Sequence, residues 1–324
     1  MSGWAKIFGP FPYRADGYSI STEDRQRYTK EFTKLMEQDY MNNSYSSRKY
    51  TAAHADENVD TNRYLNALPL DSTRVVLPEP SPSDYINASK VQLDDSYVCC
   101  QAPLDIPTEH AKFWLMLLAE HITVVVMLTA VEEGGKEKAS RYWPESRNTP
   151  LELPIGSEVI TVKLIRDHFI LGDILVRRMS VTFRGRSREI CQVQFLGWPD
   201  CDVPDGEKLA NLVGIADAHH TRLGRQGCHK GAKPCQAVHC SAGVGRTGTY
   251  VLVREIIRRF RADPFPLEAE FDVKAMVAKL RSQRNPLMVQ TVGQYSFLHL
   301  FVRQYRVVAE HVRAVQNALR PSPK

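Results

Sequence analysis

Apolar positions along this chain repeat with two periods. After Ser21, the residues Tyr28, Phe32, Leu35 and Met36 fall on one helical face, and Ser21 with Asp24 three residues on resembles a capping box, so a helix to about Tyr40 is expected. A polar connector follows from Asn42 to Thr61. Short β-branched or apolar runs then recur at Arg74 to Leu77, Tyr85 to Val91, Ile122 to Leu128, Val159 to Ile165, Ile174 to Phe183 and Glu189 to Leu196, and these supply a sheet. Helical spacing marks Thr108 to His121, Lys208 to Leu223, Thr247 to Phe260, Asp272 to Ser282 and Thr291 to Arg313. Strands fill the middle of the chain and helices the last third. Such an order suits one α/β or α+β domain, a mixed, strongly twisted sheet flanked by helices, with no boundary inside residues 1–324.

Composition narrows the picture. With 43% hydrophobic and 24% charged residues, the chain can bury a sizeable core. Its longest apolar stretch, Ile122 to Leu128, is far shorter than the roughly 20 residues a membrane helix needs, so no membrane span is expected. Met1 to Pro12 carries no apolar run ending in a cleavage site, and the seven cysteines lack the regular spacing of a disulfide scaffold. Both observations point to a soluble protein of a reducing compartment, the cytoplasm. A formal charge of +5 suits an acidic or phosphorylated partner and is too mild to imply nucleic acid. No repeat or low-complexity tract is present; Pro78 to Pro82 reads as a stiff turn.

The chemistry concentrates at Val238-His239-Cys240-Ser241-Ala242-Gly243-Val244-Gly245-Arg246-Thr247-Gly248, between a short apolar strand and a helical run. Glycines there let successive backbone N–H groups turn inward, and the helix N-terminus adds the positive end of its dipole, which makes an anion cradle. Arg246 adds a planar fork of donors suited to two phosphate oxygens. The field that holds phosphate also stabilises a thiolate, so Cys240 is a candidate nucleophile toward phosphorus, with no metal or other cofactor.

His-Cys-(five residues)-Arg-Thr-Gly closely resembles the signature of the cysteine-dependent protein tyrosine phosphatase family. The resemblance implies that family's fold and a phosphocysteine intermediate, with the loop from Ser241 to Gly245 and Arg246 binding the phosphoryl group and His239 and Thr247 supporting Cys240. Trp198-Pro199-Asp200 followed by Val203-Pro204 resembles the mobile acid loop, making Asp200 the general acid. Gln290-Thr291-Val292-Gly293-Gln294 resembles the segment whose two glutamines, Gln290 and Gln294, orient the attacking water. Asn62-Arg63-Tyr64, upstream of Asp84-Tyr85-Ile86-Asn87-Ala88-Ser89, resembles the loop whose tyrosine stacks on the substrate ring and fixes the depth of the cleft. Lys138 with Tyr142-Trp143-Pro144 is similar to the segment beside the active site, where the lysine can pair with the acid loop, and either Glu132 or Glu133 could orient Arg246. The partners implied are phosphotyrosine-containing proteins.

The resemblance spans about Asn62 to Thr291, and two departures stand out. Asn66 occupies the place of an aspartate that holds the peptide backbone in the family, which removes a charge-assisted bond. The segment Asn285-Pro286-Leu287-Met288-Val289 is one residue longer than usual, which reshapes the rim and leaves open whether Arg281 or Arg284 binds at a secondary site. The alternative readings are a phosphotyrosine-binding domain without turnover and a dual-specificity phosphatase. Ala242 and Val244, where lysines would suit inositide headgroups, disfavour inositides. A zinc site from Cys228, His229, Cys235, His239 and Cys240 fits no common ligand spacing.

Overall fold

Ser21 caps the first helix, α1 (Thr22–Met41), through its Oγ, which accepts the Asp24 N–H at 3.0 Å and satisfies one of the donors a helix start leaves unpaired. The computed structural model describes residues 20–42, 44–198, 203–225, 235–261 and 271–318. Beyond α1, the expected connector contains three short turns: a 3-10 turn at Ser47–Lys49 and the helices α2 (Thr51–His54) and α3 (Asp56–Val59). Their anchor is distant in sequence. The Asp71 carboxylate accepts the N–H groups of Thr51 and Ala52 at 2.7 and 3.0 Å, capping α2 in a way no local pattern announces.

The strands β1 (Arg74–Val76), β2 (Tyr85–Gln92) and β3 (Ser96–Cys100) precede helix α4 (Pro107–Ala119). After β4 (Val124–Met127) comes a small hairpin of β5 (Glu132–Glu133) and β6 (Lys136–Glu137). A meander of β7 (Leu151–Ile155), β8 (Glu158–Ile170), β9 (Ile174–Phe183) and β10 (Arg186–Phe195) follows. Helix α5 (Gly206–Arg225), strand β11 (Cys235–His239) and helices α6 (Gly245–Arg261), α7 (Val273–Arg281) and α8 (Val292–Ala318) complete the order. Beyond the hairpin of β5 and β6, which no run marked, two strands were not expected. In β3 both faces are buried, so Tyr97, Val98, Cys99 and Cys100 show no alternation. In β7, Pro154 hides an edge strand, where a missing N–H is tolerated.

Among the described residues, nine strands form one mixed sheet in the order β1-β2-β3-β11-β4-β10-β9-β8-β7. Strands β3, β11, β4 and β10 run parallel, and antiparallel pairs extend the sheet on both sides. Alternation within β4 divides the core: Val124 and Val126 join the face covered by α1, α5, α6, α7 and α8, while Val125 and Met127 join the face covered by α4. Helix α1 belongs to this core through Tyr28, Phe32 and Leu35. Met36, expected on the same face, is 37% exposed. Among the described residues no helix is long and apolar enough to cross a membrane.

Candidate active site

Strand β11 lies at the middle of the sheet and ends on His239, so the loop after it emerges at the carboxyl ends of parallel strands, where open α/β sheets place their ligands. The loop runs from Cys240 to Gly245, where α6 begins. Its turn depends on Gly243, at φ +70°: a Cβ there would sit 2.0 Å from the Cys100 carbonyl oxygen. The Ala102 N–H donates to the Ser241 carbonyl at 2.9 Å, tying the loop to the end of β3.

Cys240 is 6% exposed, and Thr247 Oγ1 donates to its Sγ at 3.4 Å. Arg246 donates from Nη1 and Nη2 to the two oxygens of Glu133 at 2.7 and 2.8 Å, and from Nη1 to the Leu128 carbonyl at 3.1 Å. This settles the choice left between two glutamates: Glu132 is exposed on the hairpin, and Glu133 faces the loop. Burial alone would raise the Glu133 carboxyl, but the Arg246 guanidinium, the Thr129 hydroxyl and the Ala130 N–H together bring it below its ordinary value. Thr129, which sequence reasoning missed, sits just past the end of β4, the kind of strand-end position that faces a site in such sheets.

His239 is fully buried, and both of its ring nitrogens bond to oxygen atoms rather than to the sulfur. Its Nε2 lies 2.7 Å from Tyr142 Oη and its Nδ1 3.0 Å from the Cys240 carbonyl. Burial drives its pKa down to about 4, so the imidazole is neutral near pH 7.

A cleft of about 530 Å³ brings Tyr64, Asn66, Lys138, Ser241, Ala242, Val244, Gly245, Arg246, Gln290 and Gln294 together with Cys240. Gly243, Thr247 and His239 are buried and are not among the residues that line it. Tyr64 Oη lies 3.0 Å from Ser241 Oγ, and the preceding residues hold it there: Asn62 is buried, its Oδ1 accepting from Tyr85 Oη at 2.6 Å, and Arg63 donates to the Pro103 carbonyl at 2.7 Å. The Gln290 N–H donates to Gln294 Oε1 at 2.9 Å, and a Cβ on Gly245 would lie within 3.2 Å of both glutamine side chains. Asp200 lies outside the described residues, as does the rest of 199–202, including Cys201. At the near end of that segment Trp198 is buried, with the Arg246 guanidinium carbon 6.0 Å from its ring centre.

The two arginines considered for a secondary site are both buried. Arg281 donates to the Met288 and Val289 carbonyls and pairs with Asp39 at 2.8 Å, while Arg284 donates to Asn87 Oδ1 at 2.6 Å. They hold residues 285–289 and α1 in place. Asn66 is exposed at the rim, its carbonyl accepting from Asn285 Nδ2 at 3.3 Å. Of the cysteine and histidine group weighed for zinc, Cys228 and His229 lie outside the described residues.

Comparison with known proteins follows the same lines. A family model described as protein-tyrosine phosphatase matches residues 58–304. The human tyrosine-protein phosphatase non-receptor type 18 is 32% identical over 259 residues, covering 78% of this chain and 52% of the relative. The mouse receptor-type tyrosine-protein phosphatase alpha is 33% identical over 268 residues, covering 79% of this chain and 29% of the relative. This chain therefore spans about half the length of the first relative and under a third of the second. A solved structure of PTPN18 in complex with HER2 phosphopeptides is similar at a TM-score of 0.74 and 31% identity, covering 86% of this chain and 92% of that one.

Proposed function

The chain belongs to the protein-tyrosine phosphatase family, and from that premise we propose that it hydrolyses phosphotyrosine in proteins through a phosphocysteine on Cys240. One observation carries the reading: Arg246, held as a fork by Glu133, faces the same cleft as Cys240 at the start of a helix-capping loop.

In the first step the Cys240 thiolate attacks phosphorus in line, the P–S bond forms, and the bond from phosphorus to the tyrosyl oxygen breaks. Asp200, as the carboxylic acid, gives its proton to that leaving oxygen. Backbone N–H groups from Ser241 to Gly245 and the Arg246 fork carry the charge of the three phosphoryl oxygens. In the second step a water positioned by Gln290 and Gln294 attacks phosphorus, Asp200 takes its proton, and the P–S bond breaks to release inorganic phosphate. The hydroxyl of Thr247 stabilises the departing thiolate. Neutral His239 holds the Cys240 carbonyl.

Selectivity belongs to the mouth of the cleft. Tyr64, braced on Ser241, sets a depth that a phenyl phosphate spans and the shorter phosphoserine does not. Lys138 lines the same rim, and in this reading it pairs with the acid loop. The same residues accommodate proteins bearing phosphotyrosine as partners. Solved structures similar to this chain include PTPN18 with HER2 phosphopeptides, which supports that reading.

Rapid acid quench of a reaction with a 32P-labelled phosphotyrosine peptide tests the mechanism. The proposal expects acid-stable label on the protein within one turnover and none on Cys240→Ser. Turnover without labelled protein would remove the covalent intermediate.

A further inference from the structure

Behind the active-site loop, one arginine stands at the head of two hydrogen-bond chains. Arg177, on β9, donates from a single nitrogen, Nη1, to Gln192 Oε1 at 2.7 Å and to Gln194 Oε1 at 2.8 Å, and its guanidinium lies 4.3 Å from the centre of the Trp143 ring. Both glutamines are on β10 and are buried, 0% and 3% exposed. A guanidinium offers only donors, so each amide must turn its oxygen toward Arg177 and its NH₂ away.

The first chain then has one proton arrangement. Gln192 Nε2 donates to Tyr142 Oη at 2.7 Å, which directs the tyrosine's own proton to His239 Nε2 at 2.7 Å. Among the described residues, the other acceptor for that hydroxyl is the Met127 thioether, weak and 3.9 Å away. His239 accepts at Nε2, so its proton is on Nδ1, where it reaches the Cys240 carbonyl at 3.0 Å. A donor-only head and an acceptor-only tail force the same order from both ends. In the second chain, Gln194 Nε2 donates to the Thr129 carbonyl at 2.9 Å, and the Thr129 hydroxyl donates to Glu133 Oε1, the oxygen that accepts from Arg246.

We propose that Arg177 is a positioning residue: by fixing which way the Gln192 and Gln194 amides face, it sets the proton order that ends on Cys240 and braces the Glu133–Arg246 fork. Removing it frees both amides to turn. A turned Gln192 presents its oxygen to Tyr142, draws that proton away from His239, and leaves the imidazole free to carry its own proton on Nε2, with a lone pair of Nδ1 facing the Cys240 carbonyl. Burial prevents water from repairing either mismatch. The kinetic consequence rests on the function proposed for Cys240 and Arg246; the proton order does not.

The test therefore reads both. Histidine side-chain 15N–1H correlation spectra of the full chain, with the His239 signals assigned by their loss in His239→Asn, report its tautomer directly. Wild type and Arg177→Lys, which keeps a donor-only head, are expected to show the Nδ1–H form. Arg177→Met and the isosteric Gln192→Glu, whose carboxylate accepts from Tyr142, are expected to lose it. On a phosphotyrosine peptide, kcat/KM should fall roughly tenfold to a hundredfold in these two variants, the effect of one unsatisfied buried group, and only about threefold in Arg177→Lys. Gln192→Glu carries the test if Arg177→Met does not fold. An unchanged His239 tautomer in the folded variants overturns the inference, whatever the rates. A changed tautomer in a protein that shows no phosphatase activity upholds it and overturns the proposed function instead.

Discussion

Glu133 and Arg246 meet through two parallel bonds of 2.7 and 2.8 Å, carboxylate to guanidinium. This geometry fixes the plane of the fork in advance, so under the proposed function ordering it costs little on binding a phosphoryl group. Glu133→Ala should lower kcat/KM on a phosphotyrosine peptide by about 10- to 100-fold, the range expected when one partner of a largely buried charged hydrogen bond is removed. Steady-state kinetics checks this, and unchanged kinetics would show that Arg246 is held by other contacts.

Tyr64 rests on Ser241 at the mouth of the cleft. Truncation to alanine removes an aromatic contact of the size that accounts for about tenfold in affinity. Tyr64→Ala is therefore expected to raise KM for a phosphotyrosine peptide by about that factor and to narrow its advantage over phosphoserine. Tyr64→Phe, which keeps the ring, should stay within about threefold. Competing peptides measured side by side give both ratios.

Gly243 cannot carry a side chain without collision, at φ +70° and with the Cys100 carbonyl 2.0 Å from the position of a Cβ. Backbone on the far side leaves no flexible neighbour to move. Gly243→Ala should displace the loop and reduce kcat/KM by at least about 100-fold, a loss of positioning rather than of any reacting group. Thermal unfolding measured on the same sample separates loop displacement from global unfolding.

Away from the site, Glu189 accepts from Arg178 at 2.8 and 2.9 Å and also from Arg222, joining β10 to β9 and α5. Arg178's hydrogen bonds, outweighing burial and reinforced by Arg222, bring the Glu189 carboxyl down to about 2 from an ordinary 4.5. A depressed carboxyl stabilises the fold above its unfolded pKa, and that contribution fades as pH falls from 4.5 toward 2. Urea unfolding should show wild type losing about 1 kcal/mol more than Glu189→Gln between pH 6 and pH 2, allowing for solvent screening of a partly exposed pair.

Parts of this molecule were readable in the sequence because their determinants are contiguous. The segment from His239 to Gly248 contains its own turn residues, the proposed nucleophile and clamp, and the helix start, and Tyr28, Phe32 and Leu35 announce α1 by spacing alone. Other parts depend on contacts distant along the chain. Whether Glu132 or Glu133 meets Arg246 is decided by the hairpin through Gly134 and Gly135, both at positive φ. Burial of Arg281 and Arg284 comes from the carbonyls of residues 288 and 289 and from Asn87, which no periodicity links to them. Strand β3 escaped notice because a strand buried on both faces loses the alternation that marks strands. Nothing local marks Arg177; only the fold sets two buried glutamines against it.

The central claim is tested most directly by initial rates on a phosphotyrosine peptide and a matched phosphoserine peptide, in chelator and thiol, for wild type and Cys240→Ser. The account predicts turnover that is selective for phosphotyrosine, indifferent to chelator and abolished by the substitution. Intact phosphopeptide binding without turnover in wild type would contradict it and make the chain a phosphotyrosine-binding domain. Equal rates on the two peptides would contradict the selectivity assigned to Tyr64.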